Sequence, residues 1–205
     1  RGMNYFIELV VSGLAVGAIY GLVAMSFAVI YKATGIVNFS QGEMGMLSAY
    51  TTWSLAVTFG TGGIATVFIA IVVGALLGLM CERLIMRPML GEPVLSVVLV
   101  TVGLAVVLRS IVTIIWGASP HKFEVAGADT IVDIAGIGMR VSQLSVILAL
   151  LLALAGFWFF LRHSRFGVAM RAVAADEKTA RLMGVSTARV QAVAWASASA
   201  LAGLA

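Results

Sequence analysis

The stretch Val94–Gly117 reads VLSVVLVTVGLAVVLRSIVTIIWG and contains one charged side chain, that of Arg109. An α-helix of about 20 predominantly apolar residues crosses the hydrocarbon core of a bilayer, which is about 30 Å thick. The stretch therefore predicts a transmembrane helix. Further stretches with at most one charged side chain each occur at residues 5–31, 64–80 and 141–161. This repetition indicates an integral membrane protein.

The composition excludes a water-soluble domain. Hydrophobic residues make up 61% of the chain and charged residues 11%, and the mean hydropathy is +1.09. A soluble protein carries about 25% charged residues, so this chain has too few charged residues to form a hydrated surface. The net charge of +4 lies mostly in the loops between apolar stretches, and we expect no nucleic-acid partner.

The sequence contains no motif for catalysis or metal binding. HExxH, GxSxG and the nucleotide-binding GxxxxGK[ST] are absent. Cys81 is the only cysteine, which excludes an intramolecular disulfide and any CxxC site. His121 and His163 have no evident nucleophile or metal-ligand partner in the sequence. We therefore expect no enzyme activity, no catalytic residue and no metal site in this chain.

The predicted fold class is all-α, a polytopic membrane bundle with five complete spans and the start of a sixth. The complete spans are expected at residues 5–31, 44–60, 63–83, 94–116 and 142–161. The second of these differs from the others because its first half is polar. The sixth begins near Val190 and is cut off at Ala205. We therefore interpret residues 1–205 as one transmembrane domain that forms the N-terminal part of a longer bundle.

Basic residues between the spans predict the orientation. Nine of the thirteen Lys and Arg residues lie in the loops of one side. The positive-inside rule makes this side cytoplasmic and places the N-terminus outside. The external loop then covers residues 118–141 and the main cytoplasmic loop residues 162–189. Within the external loop, the runs Ile131–Ile134 and Met139–Val141 predict a small β-hairpin.

Glycines repeat at a spacing of four on two of the predicted spans. Gly13, Gly17 and Gly21 share one face of the first span, and Gly74 and Gly78 share one face of the third. Such faces allow helices in lipid to approach closely. We interpret them as helix-packing surfaces, and the first-span face has a second interpretation as part of a transport pathway.

A polar interruption separates the first two spans and contains Asn38, Gln41, Gly42 and Glu43. One interpretation is a loop in which Asn38 or Ser40 caps the second helix and Glu43 lies favourably near its N-terminus. The other is a broken or re-entrant segment whose polar groups line a translocation pathway, as in many transporters. The sequence leaves both open. The candidate pathway residues are Asn38, Gln41, Gly42 and Glu43.

The cytoplasmic loop 162–189 holds the second interruption. Good helix formers run from Arg171 to Val185 and alternate charged with apolar residues, and Gly184 suits a helix C-terminus. A short amphipathic helix is therefore expected. It would lie on anionic lipid headgroups or dock in a groove of a soluble partner. Ser186 or Thr187 is the expected N-cap of the following helix.

Glu8 and Arg109 are the two ionisable residues that fall clearly within predicted spans. Ion-coupled transporters usually bury several such groups, so their scarcity argues against ion coupling. We interpret both as snorkelling towards the outer surface. A mutual ion pair is the alternative.

Several short motifs occur in a fixed order along the chain: Ser12-Gly13-Leu14, Gly17-Ala18-Ile19-Tyr20-Gly21-Leu22, Asn38-Phe39-x-x-Gly42-Glu43-x-x-Met46-Leu47-x-Ala49-Tyr50, Glu82-Arg83-Leu84, Arg87-Pro88, Thr101-Val102-Gly103-Leu104, and Phe166-Gly167 through Arg171-Ala172, Asp176, Ala180 and Gly184-Val185. In this order they resemble the permease subunits of branched-chain amino acid ABC transporters, the leucine, isoleucine and valine type. The resemblance runs nearly end to end, although members of the family are longer.

The resemblance implies a permease subunit of a binding-protein-dependent importer in the bacterial inner membrane. Its implied partners are a second homologous permease subunit, two cytoplasmic ATPase subunits that bind ATP, and a periplasmic or extracellular solute-binding protein. No cofactor is expected in this chain itself. The family also includes permeases for urea and short amides, so these substrates stay open beside branched-chain amino acids. A secondary transporter or channel is the remaining alternative.

By the same resemblance, the loop 162–189 contains the cytoplasmic coupling helix that engages an ATPase. The implied coupling residues are Arg171, Asp176, Glu177, Ala180 and Gly184.

Overall fold

The computed structural model describes residues 2–119, 130–134 and 137–205. Its α-helices are α1 (Gly2–Thr34), α2 (Gln41–Phe59), α3 (Ile64–Cys81), α4 (Val94–Trp116), α5 (Val141–His163), α6 (Arg165–Ala175), α7 (Glu177–Leu182) and α8 (Thr187–Leu204). A π-helical turn (Glu82–Met86) and a 3₁₀ turn (Arg87–Met89) follow α3 directly. Part of the predicted external loop 118–141 lies outside the described residues, as do His121 and Gly136.

Four helices of the described chain are long and apolar enough to cross a membrane, namely Tyr5–Thr34, Ile64–Met89, Val94–Trp116 and Val141–His163. They correspond to four of the five complete spans predicted from the charge-poor stretches. The remaining predicted spans, α2 and α8, are helical but more polar. The all-α, polytopic membrane fold is therefore confirmed.

The helix α8 lies at the centre of the bundle and packs against α1, α2 and α3. The packing against α3 is closest where Gly74 meets Ser199 and Gly78 meets Trp195, so the two helices run antiparallel. A Cβ atom added to Gly78 would lie 2.8 Å from the carbonyl carbon of Trp195. The small-residue interface predicted for the third span is present because its glycines admit the backbone of α8.

The glycines of the first span are placed differently. A Cβ atom added to Gly21 would contact the side chain of Leu150 on α5 at 3.3 Å. Added Cβ atoms at Gly13 and Gly17 would meet no described heavy atom within 4 Å. The packing role of these two glycines therefore stays a prediction.

The expected hairpin is present as β1 (Ile131–Ile134) and β2 (Ile137–Arg140), which pair antiparallel with Ile131 opposite Arg140. The second strand begins two residues earlier than predicted. The helix α5 starts immediately after it, and the side-chain amide of Gln143 donates to the hydroxyl of Ser12 at 2.8 Å. This bond ties the start of α5 to α1.

The segment expected to form one amphipathic helix forms two, and this corrects the prediction. Asp176 has extended dihedral angles (φ −158°, ψ 108°) that end α6 and begin α7. The end of α1, the start of α4 and the start of α8 lie beside α7, around one shared cavity. We call this end of the bundle the α7 end.

Candidate functional site

The helix α2 begins inside the bundle rather than at its surface. The backbone N–H of Phe39 donates to the hydroxyl of Thr101 at 3.2 Å, and Thr101 lies about 10 Å along α4 from its first residue. The side-chain amide of Gln41 donates to the carbonyl of Ala198 at 3.1 Å, about 16 Å along α8. The N-terminus of α2 is therefore surrounded by the middle turns of its neighbours.

The chain reaches this position through a reversal after α1. Gly35 has φ 69°, a left-handed conformation that glycine adopts without strain, and its N–H closes the helix on the carbonyl of Tyr31 at 2.8 Å. Residues 35–40 are then non-helical and run back into the bundle. This geometry corresponds to the interpretation of a broken segment between the first two spans.

Side-chain hydrogen bonds hold this break together. The amide of Asn38 donates to the side-chain oxygen of Gln41 at 3.0 Å. The Asn38 oxygen accepts from the backbone N–H of Ser40 at 3.0 Å and from its hydroxyl at 2.7 Å. Among the described residues, Ser40 makes no side-chain capping bond to α2. Asn38 and Gln41 are buried, and their side chains bond the backbone N–H of Ser40 and the carbonyl of Ala198, which are also buried. These bonds replace those that water would make to the broken segment outside a membrane.

The side of the break away from the α7 end carries an ion pair. Gly42 is exposed, and the carboxylate of Glu43 is bonded to the guanidinium of Arg109 on α4. The Arg109 side chain is 70% exposed on the surface of this chain, and that of Glu43 is 15% exposed. The predicted alternative of an ion pair between Arg109 and Glu8 is therefore wrong, because the partner of Arg109 is Glu43. Snorkelling of Arg109 towards the outer surface stays a prediction.

This charged pair lies within the apolar stretch of α4. Arg109 lies about ten ångströms from the far end of α4, and charged groups within membrane segments face a protein or a water-filled space. The surface around Gly42, Glu43 and Arg109, which we call the α2–α4 face, is therefore suited to a polar pathway or a protein neighbour.

A cavity of about 370 Å³ lies beside the break, at the α7 end. Its wall combines the end of α1, the π-helical and 3₁₀ turns, the start of α4 and the start of α8. The ion pair between Glu82 and Arg87, at 3.3 Å, holds the two turns in place. Interruptions of this kind in an α-helix often accompany functional sites. The cavity is large enough for a small metabolite.

The junction of α6 and α7 is held by Asp176. Its carboxylate accepts from the hydroxyl of Thr179 at 2.6 Å and from the backbone N–H groups of Lys178 and Thr179 at 2.9 and 3.1 Å. These bonds, the Thr179 hydroxyl first, lower the pKa of Asp176 below its ordinary value. The cap therefore contributes stability at neutral pH and loses it only as the pH falls through this lowered pKa.

The other predicted coupling residues build the same segment. Arg171 donates to the carbonyl of Leu161 at the end of α5, and Glu177 pairs with Arg181 at 2.8 Å within α7. Ala180 is buried against the bundle, while Gly184, with φ 84°, ends the segment. A contact between these residues and another protein stays a prediction.

Sequence reasoning did not include Leu182 and Met183 among the candidate site residues. They are 87% and 80% exposed at the end of α7, where large apolar side chains have no reason to face water. The signal was present in the sequence as two adjacent apolar residues before Gly184. Leu182 follows the buried Ala180 by two residues and so lies on the opposite face of α7, and Met183 is the C-cap residue at which α7 ends.

A family model described as the permease component of the branched-chain amino acid transport system matches residues 9–205. The high-affinity branched-chain amino acid transport system permease protein LivH of Salmonella typhimurium is 27% identical over 98% of this chain and 69% of its own length. BraD of Pseudomonas aeruginosa, described in the same words, is 25% identical over the same shares.

A probable branched-chain amino acid transport permease protein LivH from Methanocaldococcus jannaschii is 28% identical over 90% of this chain and 60% of its own. No solved structure matches the chain.

Proposed function

The chain belongs to the family of branched-chain amino acid transport permease components, and from this premise we propose that it translocates branched-chain amino acids in an ATP-driven importer. The carrying observation is that α2 begins inside the bundle, which places a polar break and an ion pair within an otherwise apolar membrane protein. A second permease subunit, two ATPases that bind the ATP and an external solute-binding protein complete the importer. Its location is the bacterial inner membrane.

The α2–α4 face is the proposed translocation surface. Gly42 and Glu43 contribute directly to it, and Glu43 is held by Arg109. Asn38 and Gln41 contribute indirectly, because they are buried and their hydrogen bonds fix the backbone of the break. The exposed charges support this assignment, since they need a polar environment in the bilayer.

The α6–α7 segment is the proposed ATPase contact, with its loop on the cytoplasmic side and the N-terminus outside. The basic residues of the loops support this orientation. Leu182 and Met183 are the apolar side chains that enter a groove on the ATPase, and Asp176 and Gly184 set the limits of α7.

We expect the reconstituted complex to take up leucine only when ATP is supplied on the ATPase side. The measurement is uptake of labelled leucine, urea and acetamide into vesicles, with and without the solute-binding protein. Uptake of urea or acetamide in place of leucine would mean that the substrate is a short amide and not a branched-chain amino acid. Leucine uptake independent of ATP would instead make the protein a secondary transporter or channel.

Replacing Leu182 with serine is expected to weaken copurification of the ATPase with the permease by about tenfold, because burial of a leucine side chain contributes about 1.5–3 kcal/mol. The matched control is Leu95→Ser, which removes another exposed leucine (70% exposed) in the first turn of α4. Equal losses for both variants, or for neither, would contradict the docking assignment.

A further inference from the structure

Two buried polar groups of α8 face the cavity at the α7 end without a partner. Gln191 is 7% exposed and Trp195 is 3% exposed, and both line the cavity. Among the described residues, neither side chain makes a hydrogen bond to the protein. The two positions are four residues apart, so their side chains lie on the same face of the helix. The side-chain polar atoms of both residues are open to the cavity, because the fully enclosed side-chain atoms without a partner among the described residues are the hydroxyls of Thr52 and Thr61. The pair is therefore available to a ligand in the cavity.

The indole of Trp195 is a donor only, and the amide of Gln191 can donate two hydrogen bonds. Two adjacent buried donors suit the two oxygens of a carboxylate, and hydrogen bonds to a charged acceptor are stronger than those to a neutral one. This end of the cavity therefore fits an anionic group.

The opposite chemistry is found at the exposed rim. Glu92, in the loop before α4, and Glu177, the first residue of α7, line the cavity and are exposed. Two carboxylates at a rim suit an ammonium group. Glu177 also pairs with Arg181 at 2.8 Å, so a bound ammonium group would share its carboxylate with Arg181.

Most of the remaining lining side chains are aliphatic or thioether, including Ile30, Ile36, Met86, Met89 and Val97. The other polar lining residues, Thr34, Asn38 and Thr101, already have hydrogen-bond partners in the protein. Such a wall binds an apolar group, and methionines adapt their shape to the group that they contact. The wall therefore selects against a small ligand that is polar throughout, such as urea.

We propose that this cavity binds a zwitterionic α-amino acid with an aliphatic side chain. Gln191 and Trp195 hold its carboxylate, Glu92 and Glu177 hold its ammonium group, and the methionine wall holds its side chain. The proposal rests on the function proposed above and deepens it. Since Glu177 belongs to the proposed ATPase contact, the site is bordered by the segment that an ATPase would move.

The first test uses Val97→Cys, which places a thiol in the cavity wall of the full complex. A small cationic methanethiosulfonate reagent is expected to label it, and leucine is expected to slow the labelling at least fivefold. Cys81 is buried, so the parent protein provides the unlabelled background. The matched control is Leu95→Cys, which is on the same helix outside the cavity lining. Protection of neither cysteine, of both equally, or by urea instead of leucine would overturn the proposal.

The second test measures the leucine concentration that gives half of this protection. Trp195→Phe keeps the ring and removes the N–H, and Gln191→Leu removes the amide. Each is expected to raise that concentration about tenfold, since a hydrogen bond to a charged group contributes about 1.5–3 kcal/mol. Trp158→Phe, at an exposed tryptophan of α5, is the control and is expected to change nothing.

These outcomes separate the two proposals. If the complex takes up leucine with ATP but Val97→Cys is not protected, the cavity assignment is wrong and the proposed function stands. If leucine protects Val97→Cys but its uptake does not require ATP, the site stands and the importer assignment is wrong.

Discussion

Replacing Arg109 with glutamine is expected to lower leucine uptake by at least about tenfold. The change leaves the Glu43 carboxylate, 15% exposed in this chain, without its partner at the level of the bilayer core. A charged side chain at the centre of a membrane helix costs about 2.5–3.5 kcal/mol, so we expect the unpaired Glu43 to move away from the α2–α4 face. This movement changes the start of α2, where the proposed pathway passes.

The exchange Glu43→Arg with Arg109→Glu distinguishes a charge pair from two independent residues. Each single replacement puts like charges together, whereas the double exchange restores attraction. We expect the double variant to recover thermal stability of the purified complex and part of the uptake. Glu8→Gln serves as the control because the partner of Arg109 is Glu43. A double variant no better than either single one would contradict the pair.

Charge-poor stretches were sufficient to predict the membrane fold because crossing a bilayer requires length and apolarity, which are local properties. They could not predict the depth at which α2 begins. The prediction of a span at residues 44–60 left open whether the preceding polar residues form a capped loop or a broken segment. In the structure the side chain of Asn38 donates a hydrogen bond to that of Gln41, and Gln41 donates to the carbonyl of Ala198. These polar residues therefore lie inside the bundle.

Tertiary partners were the part that the sequence could not supply. Arg109 and Glu43 are 66 residues apart, and no pattern links them. The pair Gln191 and Trp195 has helical spacing, but its lack of partners becomes visible only when the cavity is formed. Likewise, the selection of Asp176 as a coupling residue stays a prediction, and its role as the cap that divides α6 from α7 depends on its extended backbone.

Glycine spacing shows the same limit. The faces at Gly13 and Gly17 and at Gly74 and Gly78 have equal spacing in the sequence, and only the second pair meets a described helix backbone. Spacing predicts a face that permits close approach. It does not determine which helix approaches.

Replacing Gly78 with alanine is therefore expected to prevent normal packing of α3 on α8. The added methyl group would overlap the backbone carbonyl of Trp195 and lie 2.7 Å from the hydroxyl oxygen of Ser199. A backbone atom cannot rotate away, so the helices must separate. Overpacking typically costs about 1–3 kcal/mol, occasionally more. We expect the upper end of that range here, because membrane helices associate mainly through close packing.

The measurement is the thermal denaturation midpoint of the purified complex, together with its yield from membranes. Gly103→Ala is the matched control, since a Cβ atom there meets no described heavy atom within 4 Å and the residue lies within α4. The two variants make the same chemical change in a membrane helix, so a lower midpoint for Gly78→Ala alone reports the α3–α8 contact. Because Trp195 would be displaced, leucine protection of Val97→Cys should weaken in the same variant. Equal midpoints for the two alanine variants would mean that α3 and α8 do not approach as closely as their glycines allow.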